Sequence, residues 1–367
     1  MINLLPEPKM LLETGGFTKK FNKLLCKADQ CSNPDELLKT ARLRFWNDST
    51  LDITCSDECI EGFELDLIPS LDGICVENNE LFISQGYYLE ISSNAIALKF
   101  RSDAGFINGI TSIKQLIKKE DGGFCLPLCK ITDYPSVPVR AVAPTFSWYA
   151  GYGRIGFDSQ LWGFEEWAQF LNICADNKIN QLNMVMYGYW PFELPDYPET
   201  TFCNVPIKIW NAENSRWLTV RFSHPNLEEP FLGRLIAYAH RLEIKIFAYV
   251  GLNSYNGGYS IKHPEARGQA PKSDQFLNDF DSLCLSYPGT VDYILKSMRA
   301  IASLGFDGFT LEESEEGFWF CECDACRERW HKQSALPVEA KHKANIWLLN
   351  QIYDAIREIN PQAVIGI

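Results

Sequence analysis

The sequence lacks the features that would place a protein in a membrane or on nucleic acid. None of its apolar runs approaches the ~18 residues that a membrane helix needs. Its start, MINLLPEPKMLLETGG, has neither the basic end nor the long apolar core of a secretory signal. The 34 Lys and Arg residues are outnumbered by 47 Asp and Glu, and the net charge of −13 argues against nucleic acid as a partner. These absences predict a cytoplasmic protein with no membrane or nucleic-acid partner, and they leave its oligomeric state open.

The sequence contains enough apolar material for two packed domains. Of its 367 residues, 46% are hydrophobic and 13% are aromatic, and a domain usually holds ~100–200 residues. It has thirteen cysteines, which is an odd number. Without a secretory signal, we expect most of them to be reduced thiols that pack as small hydrophobic residues.

Short strands and helices alternate in the first part of the chain, which predicts a small α/β domain at residues 1–137. Tyr87–Phe100 is typical of a hairpin around a Ser-Ser-Asn turn. Asp103–Lys119 has apolar residues at helical spacing, which predicts an amphipathic helix on the back of a sheet. Pro135 and Pro138 then impose an extended connector, and we place the domain boundary there.

Strand–helix units repeat over residues 138–367. The predicted strands are VRAVAPTFSW, INQLNMVMYGYW, IKIFAYVGL, FDGFTLEE and AVIGI, with helical segments between them. This rhythm predicts a TIM-type (β/α) barrel as the second domain of an α/β protein. A doubly wound sheet is the alternative, but the Gly-rich turn typical of that fold is absent after the first predicted strand.

The number of predicted strands is smaller than a complete barrel requires. A barrel has eight units in ~250 residues, whereas residues 138–367 provide about five, the last being AVIGI. We therefore expect a barrel that is incomplete at the C-terminus and a sequence that is the N-terminal part of a longer enzyme. An unpaired apolar strand leaves an open sheet edge, so we expect this segment alone to be poorly soluble or inactive.

Three segments before the predicted barrel indicate a family. They are GYYLEIS, IALKFRSDAGFINGITSIKQLI and LPLCKITDYPSVPVR. Together with the barrel they resemble glycoside hydrolase family 20, the β-hexosaminidases, in which an I-x-D-Y-P segment precedes an R-G strand that opens the catalytic barrel. A similar accessory domain precedes the barrels of α-glucuronidases and α-N-acetylglucosaminidases, which stay alternatives. The resemblance implies a hydrolase with a carbohydrate substrate and no cofactor for catalysis.

The stretch LEESEEGFWFCECDAC (Leu311–Cys326) places four of its five glutamates at the end of the predicted fourth strand. Barrel enzymes carry their chemistry at the C-terminal ends of strands. Adjacent carboxylates repel each other, which favours a state in which one is protonated and the other is ionised. Glycoside hydrolysis needs a pair of this kind. In the hexosaminidases an Asp-Glu pair ends this strand; the Glu is the acid and the Asp orients the acetamido group of the substrate. The resemblance implies Glu313, followed by Glu312, as the candidate acid.

Glu312 stands where the hexosaminidases have Asp, and this difference leaves the sugar open. In the α-glucuronidases the acid lies in a Ser-Glu-Gly segment, which would make Glu316 or Glu315 the acid here. The alternative is that this acidic segment is a solvent-exposed turn with no catalytic role. We expect a glycosidase that removes a terminal sugar, with N-acetylhexosamine as one candidate. An α-glucuronidase-like hydrolase and a non-catalytic carbohydrate-binding barrel are the alternatives.

Several residues at the predicted strand ends are candidates for substrate binding. Arg140 matches the family's strand-opening Arg, and its fork of donors suits sugar hydroxyls; a structural salt bridge is the alternative. The others are Tyr187 and Trp190, at the end of the second predicted strand, and Asn253 and Tyr255, just beyond the third. An aromatic residue taken singly is more often packed in a core than used as a binding platform.

The segment CECDACRERWH brings three thiols and one imidazole close together in sequence. Cys321, Cys323, Cys326 and His331 can complete a tetrahedral zinc shell on one short loop. Four protein ligands leave no open position, so the predicted zinc is structural. Reduced free thiols and a disulfide are the alternatives.

Overall fold

The computed structural model describes residues 2–45, 51–55, 62–144, 158–253, 257–269, 282–312 and 321–367. The chain forms two compact units. The first consists of Met1–Ala141, Ala168–Gln181 and Tyr238–Ile244, and the second of Val142–Trp167, Leu182–Ala237 and Lys245–Ile367. Strands and helices are mixed in both units, and the predicted α/β class is confirmed. No helix within the described ranges is long and apolar enough to cross a bilayer.

The strands are named in chain order. They are β1 (Met10–Phe17), β2 (Lys23–Lys27), β3 (Asp52–Cys55), β4 (Phe63–Ile68), β5 (Tyr87–Ile91), β6 (Ala95–Phe100), β7 (Lys118–Glu120), β8 (Gly123–Cys125), β9 (Pro127–Asp133), β10 (Ala141–Val142), β11 (Gln181–Val185), β12 (Val205–Asn211), β13 (Arg216–Phe222), β14 (Lys245–Gly251), β15 (Gly308–Glu312) and β16 (Val364–Gly366).

The helices are named in the same way. They are α1 (Pro34–Arg44), α2 (Asn79–Gln85), α3 (Asp103–Leu116), α4 (Phe164–Asp176), α5 (Pro225–Glu228), α6 (Leu232–Arg241), α7 (Tyr259–Lys262), α8 (Thr290–Ser303), α9 (Asp324–Cys326) and α10 (Pro337–Ile359). Short 3-10 turns cover Asp158–Leu161, Pro198–Thr200 and Pro264–Ala266, and a π-helical turn covers Arg327–His331.

A seven-stranded sheet with the order β1-β9-β5-β6-β4-β2-β3 forms the centre of the first unit. The pairs from β1 to β6 are antiparallel and those from β6 to β3 are parallel. The predicted hairpin is confirmed: β5 and β6 pair around a turn in which Ser92 Oγ accepts a hydrogen bond from Ala95 N at 3.1 Å. Alternate side chains of β5 and β6 are buried, as expected for strands with one face on a core.

The predicted amphipathic helix is α3, which packs on this sheet. Ser102 is its N-cap and accepts a hydrogen bond from Gly105 N at 3.0 Å. The helix approaches the sheet closely at Gly109, where a Cβ atom would lie 2.3 Å from Leu98 Cδ1. It ends at Leu116 and not at residue 119 as predicted, because the following residues form the β7–β8 hairpin.

The second sheet contains β10, β11, β14, β15 and β16 in chain order. The pairs β14–β15 and β15–β16 are parallel, with helices α8 and α10 in the connections before and after β15. All five predicted strands are present, each shorter than its predicted segment. A parallel sheet whose strands follow chain order, with helical crossovers, is the arrangement of successive units of a (β/α) barrel.

One element of the second unit was not predicted. Residues between the second and third barrel strands form an antiparallel hairpin of β12 and β13, with Trp210 opposite Trp217. The two indoles pack edge to face, with ring centroids 5.6 Å apart. About half of each tryptophan is exposed, whereas Val205 and Ile207 of β12 are buried, so one face of the hairpin packs on a core.

A buried ionic cluster holds helices of the first unit together. The Arg44 side chain is fully buried, and its Nη2 donates to Asp176 Oδ1 at 2.5 Å and to Thr111 Oγ1 at 3.1 Å. Lys114 Nζ lies 2.7 Å from the other carboxylate oxygen of Asp176. Burial lowers the pKa of Arg44, and the nearby carboxylate opposes that shift. The single carboxylate therefore compensates a cation that has no contact with water.

Replacing Asp176 with Asn should destabilise the protein strongly. The amide keeps the shape of the side chain but leaves the buried Arg44 cation without its counter-charge, so we expect a loss of about 3–5 kcal/mol in the free energy of unfolding. Denaturant-induced unfolding measures this loss. The matched control is Glu36→Gln, which breaks the exposed Glu36–Lys39 pair and should change stability by less than about 1 kcal/mol. Equal effects of the two variants would contradict the assignment.

His224 is a second buried titratable group. It is 1% exposed, and its Nδ1 accepts a hydrogen bond from Asn226 N at 3.1 Å, as the N-cap of α5. Burial lowers the pKa of His224 to about 3 from the ordinary value of 6.5. The folded protein therefore holds the neutral imidazole at pH values where the unfolded chain takes up a proton. Its folding stability must fall as the pH falls from about 6.5 towards 3.

Replacing His224 with Asn should remove this pH dependence, because Asn keeps a side-chain oxygen for the N-cap but does not titrate. We expect the loss of stability between pH 7 and pH 4.5 to be smaller in the variant by about 2–3 kcal/mol. Denaturant unfolding at both pH values tests this. The control is His342→Asn, at an exposed position of α10. An unchanged slope in the His224 variant would show that this histidine is not held neutral.

Candidate functional site

The carboxyl ends of β11, β14 and β15 bring a set of polar side chains to one face of the second sheet. In the parallel register Tyr249 lies beside Thr310, and Gly251 lies beside Glu312. Residues two apart in a strand point to the same face, so Tyr249, Thr310 and Glu312 share it. All three are half-buried, whereas their strand neighbours are buried. Tyr187, just beyond β11, packs edge to face on Tyr249 with ring centroids 6.0 Å apart.

Glu312 is the one candidate acid among the described residues. It is the last residue of β15, and its carbonyl accepts a hydrogen bond from Leu252 N at 2.8 Å. This bond fixes the backbone of the strand end against the neighbouring strand. The candidates Glu313, Glu315 and Glu316, and the proposed sugar ligand Tyr255, lie outside the described residues, so their roles stay predictions.

Trp190 was predicted to stack on a sugar, and this prediction is wrong. The side chain is 1% exposed. Its ring stacks on Phe192 at 5.4 Å, and its Nε1 donates to Tyr293 Oη at 2.9 Å. Gly257 packs against the same ring. A ring that is enclosed in this way is part of the core, which is the commoner fate of a tryptophan.

Asn253 is buried just beyond the end of β14. It is 2% exposed, and its backbone carbonyl accepts a hydrogen bond from Leu283 N at 3.2 Å. Within the described ranges its Nδ2 has no hydrogen-bond partner, which is uncommon for a buried amide. Its role as a sugar ligand stays a prediction, as does that of Tyr187.

Arg140 belongs to the first unit, where it holds the proline-rich connector. Its Nε donates to the Lys178 carbonyl at 2.7 Å, and its Nη1 donates to Gln85 Oε1 at 2.7 Å and to the carbonyls of Val137 and Pro138. Burial lowers the pKa of Arg140. These contacts give the residue a structural role through backbone carbonyls rather than the salt bridge considered above. Sugar binding by Arg140 stays a prediction.

Four thiols lie together in the second unit: those of Cys284, Cys321, Cys323 and Cys326. Their sulfur atoms are all within 4.8 Å of one another. Cys284 Sγ lies 3.7 Å from Cys323 Sγ and 3.6 Å from Cys326 Sγ. Three of the four are buried and Cys323 is half-buried. Three of these residues were predicted, whereas Cys284 was not.

The predicted fourth ligand, His331, does not belong to this group of sulfur atoms. Its Nε2 lies 3.0 Å from the backbone oxygen of Cys321. The π-helical turn from Arg327 to His331 carries the imidazole to that carbonyl. We therefore correct the predicted Cys₃His set to four cysteines. No local spacing indicates Cys284, because it is 39 residues from Cys323.

Hydrogen bonds within the four-thiol cluster change its protonation. Contacts from the Cys284 and Cys326 thiols lower the pKa of Cys321 well below its usual range. Hydrogen bonding to Cys321 and Cys326 raises the pKa of Cys284. The thiols therefore titrate together as one coupled group. Such a group can hold a metal ion.

The fold of the chain is similar to that of solved GH20 enzymes. The structure is similar to a GH20 exo β-N-acetylglucosaminidase from Vibrio harveyi, with a TM-score of 0.72, 17% identity, and coverage of 99% of this chain and 54% of that chain. It is also similar to a β-N-acetylhexosaminidase from Bacteroides fragilis, with a TM-score of 0.65, 15% identity, and coverage of 99% and 65%. The predicted resemblance to family 20 is confirmed at the level of the fold.

The chain is also similar in sequence to a curated protein. The chain is 23% identical to beta-hexosaminidase subunit A1 of Dictyostelium discoideum over 238 residues, which is 64% of this chain and 39% of the relative. No family model matches the chain. The chain thus spans well under half of this curated relative and about half of the Vibrio enzyme.

The packing of Trp190 predicts a strong effect at Gly257. This glycine has a φ of 66°, and a Cβ atom would lie 2.1 Å from Trp190 Nε1 and 2.4 Å from Tyr293 Oη. Gly257→Ala should therefore lower the free energy of unfolding by about 2 kcal/mol or more. The control is Gly233→Ala in α6, where no atom lies within 4 Å and alanine should stabilise the helix slightly. Thermal unfolding of both variants measures the difference in stability. An unchanged stability of Gly257→Ala would contradict the enclosed position of Trp190.

Proposed function

We propose that the chain is the acid-bearing part of a glycoside hydrolase that releases terminal N-acetylhexosamine from oligosaccharides or glycoconjugates. The observation that carries the proposal is the position of Glu312 at the carboxyl end of β15, the fourth strand of the barrel-like sheet. In the hexosaminidases an Asp-Glu pair ends this strand, and here the sequence is Glu312-Glu313. The fold shared with solved family 20 enzymes supports this correspondence.

In the proposed reaction Glu313 is the general acid. Its carboxyl group donates a proton to the glycosidic oxygen as the bond to the sugar breaks, and the resulting carboxylate then takes a proton from the incoming water. The neighbouring charge of Glu312 favours the protonated form of Glu313 at neutral pH. Glu312 itself orients the acetamido group of the substrate, as the Asp of the family does. No cofactor takes part.

The surroundings of Glu312 suit a sugar ring. Tyr187 and Tyr249 pack against each other on the face that Glu312 shares. An aromatic pair of this kind offers an apolar surface, which matches the C–H face of a pyranose. The proposal therefore assigns substrate contact to Tyr187 and Tyr249 and assigns no substrate contact to Trp190.

Replacing the acid tests the proposal through the leaving group. Glu313→Gln should reduce turnover of an N-acetylglucosaminide with an alkyl or sugar leaving group by about 10²–10⁴-fold. It should have a much smaller effect on the 4-nitrophenyl glycoside, whose leaving group needs little protonation. Steady-state kinetics on both substrates measure the difference. The control is Glu328→Gln at an exposed position of the same region, which should change neither rate.

Glu312 variants separate its role from that of the acid. Glu312→Gln should reduce the rates on both substrates alike, and Glu312→Asp should retain more activity because it restores the family's residue. Equal losses on both substrates for Glu313→Gln would argue against an acid role. Activity on aryl uronides that is lost in Glu316→Gln would identify the α-glucuronidase-like alternative. Sugar binding without turnover, unaffected by either glutamate, would identify a non-catalytic barrel.

A further inference from the structure

We propose that the four-thiol cluster of Cys284, Cys321, Cys323 and Cys326 binds one structural zinc ion. A tetrahedral zinc site with Zn–S bonds of ~2.3 Å has sulfur atoms ~3.8 Å apart. The distances from Cys284 Sγ to two of the other sulfur atoms are 3.6 and 3.7 Å, and the whole set lies within 4.8 Å. The sulfur atoms are thus spaced as the corners of such a site.

Disulfide bonding does not explain this arrangement. A disulfide has a sulfur–sulfur distance of ~2.05 Å, and all four cysteines are free thiols. A disulfide at Cys284 would have to shorten one of its contacts, of 3.6 or 3.7 Å, by more than 1.5 Å. Packing of four reduced thiols as hydrophobic residues is the other explanation, but it does not require all four sulfur atoms to point at one centre.

Polar groups around the sulfur atoms suit bound thiolates. The backbone N–H of Gln269 points at Cys321 Sγ at 3.3 Å, and the N–H of Cys326 points at Cys323 Sγ at 3.4 Å. Ser286 Oγ lies 3.1 Å from Cys326 Sγ. The two backbone N–H donors stabilise negative sulfur and orient metal ligands. Four thiolates without a cation would repel each other, and zinc(II) compensates that charge.

The cluster joins two stretches of chain that are far apart in sequence, one at Cys284 and one at residues 321–326, and backbone hydrogen bonds connect both to residues 266–269. Gly268 N donates to the Ser282 carbonyl at 2.7 Å, and Cys284 N donates to the Ala266 carbonyl at 2.7 Å. Glu322 N donates to the Gln269 carbonyl at 2.7 Å. The zinc ion would fix these stretches beyond what their few hydrogen bonds achieve. With four protein ligands it has no open position for a substrate, so its role is structural.

The location of the cluster gives the zinc a function. Cys321 follows the acidic segment that starts at Glu312, where β15 ends. The strand holds one end of that segment, and the zinc would hold the other. The ion therefore acts as an anchor for the chain that carries the glutamates, whatever reaction they perform.

Metal analysis of the full chain, purified under reducing conditions without added metal, tests the proposal. Elemental mass spectrometry should find about one zinc per chain. Cys284→Ser should weaken zinc binding, measured by competition with a chelator, by more than the 10–100-fold that loss of an outer-shell partner causes. Two controls should keep their zinc: His331→Gln, which removes the imidazole of the earlier prediction, and Cys174→Ser, which alters a buried thiol outside the cluster.

A spectroscopic measurement on the unaltered chain covers the case in which Cys284→Ser does not fold. Cobalt(II) in place of zinc should produce intense thiolate-to-metal absorption in the near ultraviolet and the visible bands of a tetrahedral four-sulfur site. Chelation of the metal should also lower the melting temperature. Protein without metal, zinc lost equally in His331→Gln, or iron as the bound metal would each overturn the proposal. These outcomes are independent of glycosidase activity, so the site can stand if the proposed reaction fails.

Discussion

The parallel register of β14 with β15 determines where the acidic segment begins. The pairs run from Phe247 beside Gly308 to Gly251 beside Glu312. Gly308 permits this register, because a Cβ atom there would lie 2.5 Å from the Val364 carbonyl oxygen and 2.6 Å from a ring carbon of Phe247. No other residue type fits between these two neighbours without moving a strand. The position of Glu312 follows from this contact.

Much of the fold could be predicted because it depends on local patterns. The β5–β6 hairpin has alternating burial and a short polar turn, and α3 has a serine N-cap followed by apolar residues at helical spacing. The barrel strands are short apolar segments between helices, which the period of the sequence reveals. The place of Glu312 at the end of β15 could be predicted for the same reason, since it depends only on where a strand ends.

The features that could not be predicted depend on contacts between distant residues. Cys284 joins the other three thiols only after the chain folds, and nothing near it in sequence indicates a partner. The burial of Trp190 depends on Tyr293, more than a hundred residues away. The order of the seven-stranded sheet, in which β9 lies between β1 and β5, is likewise set by packing. Sequence spacing favoured His331 because it is near the cysteines. The π-helical turn instead places its imidazole at the backbone oxygen of Cys321.

The distribution of the four thiols has a consequence for how this chain evolves. In the proposed zinc site any one of these thiols without the others has no advantage over serine or alanine, and the value of each appears only when all four are present. Selection therefore opposes the loss of the first cysteine, but it does not oppose the loss of the remaining ones. Among descendants of a common ancestor the four cysteines should be inherited together or replaced together, even though Cys284 is encoded far from the rest.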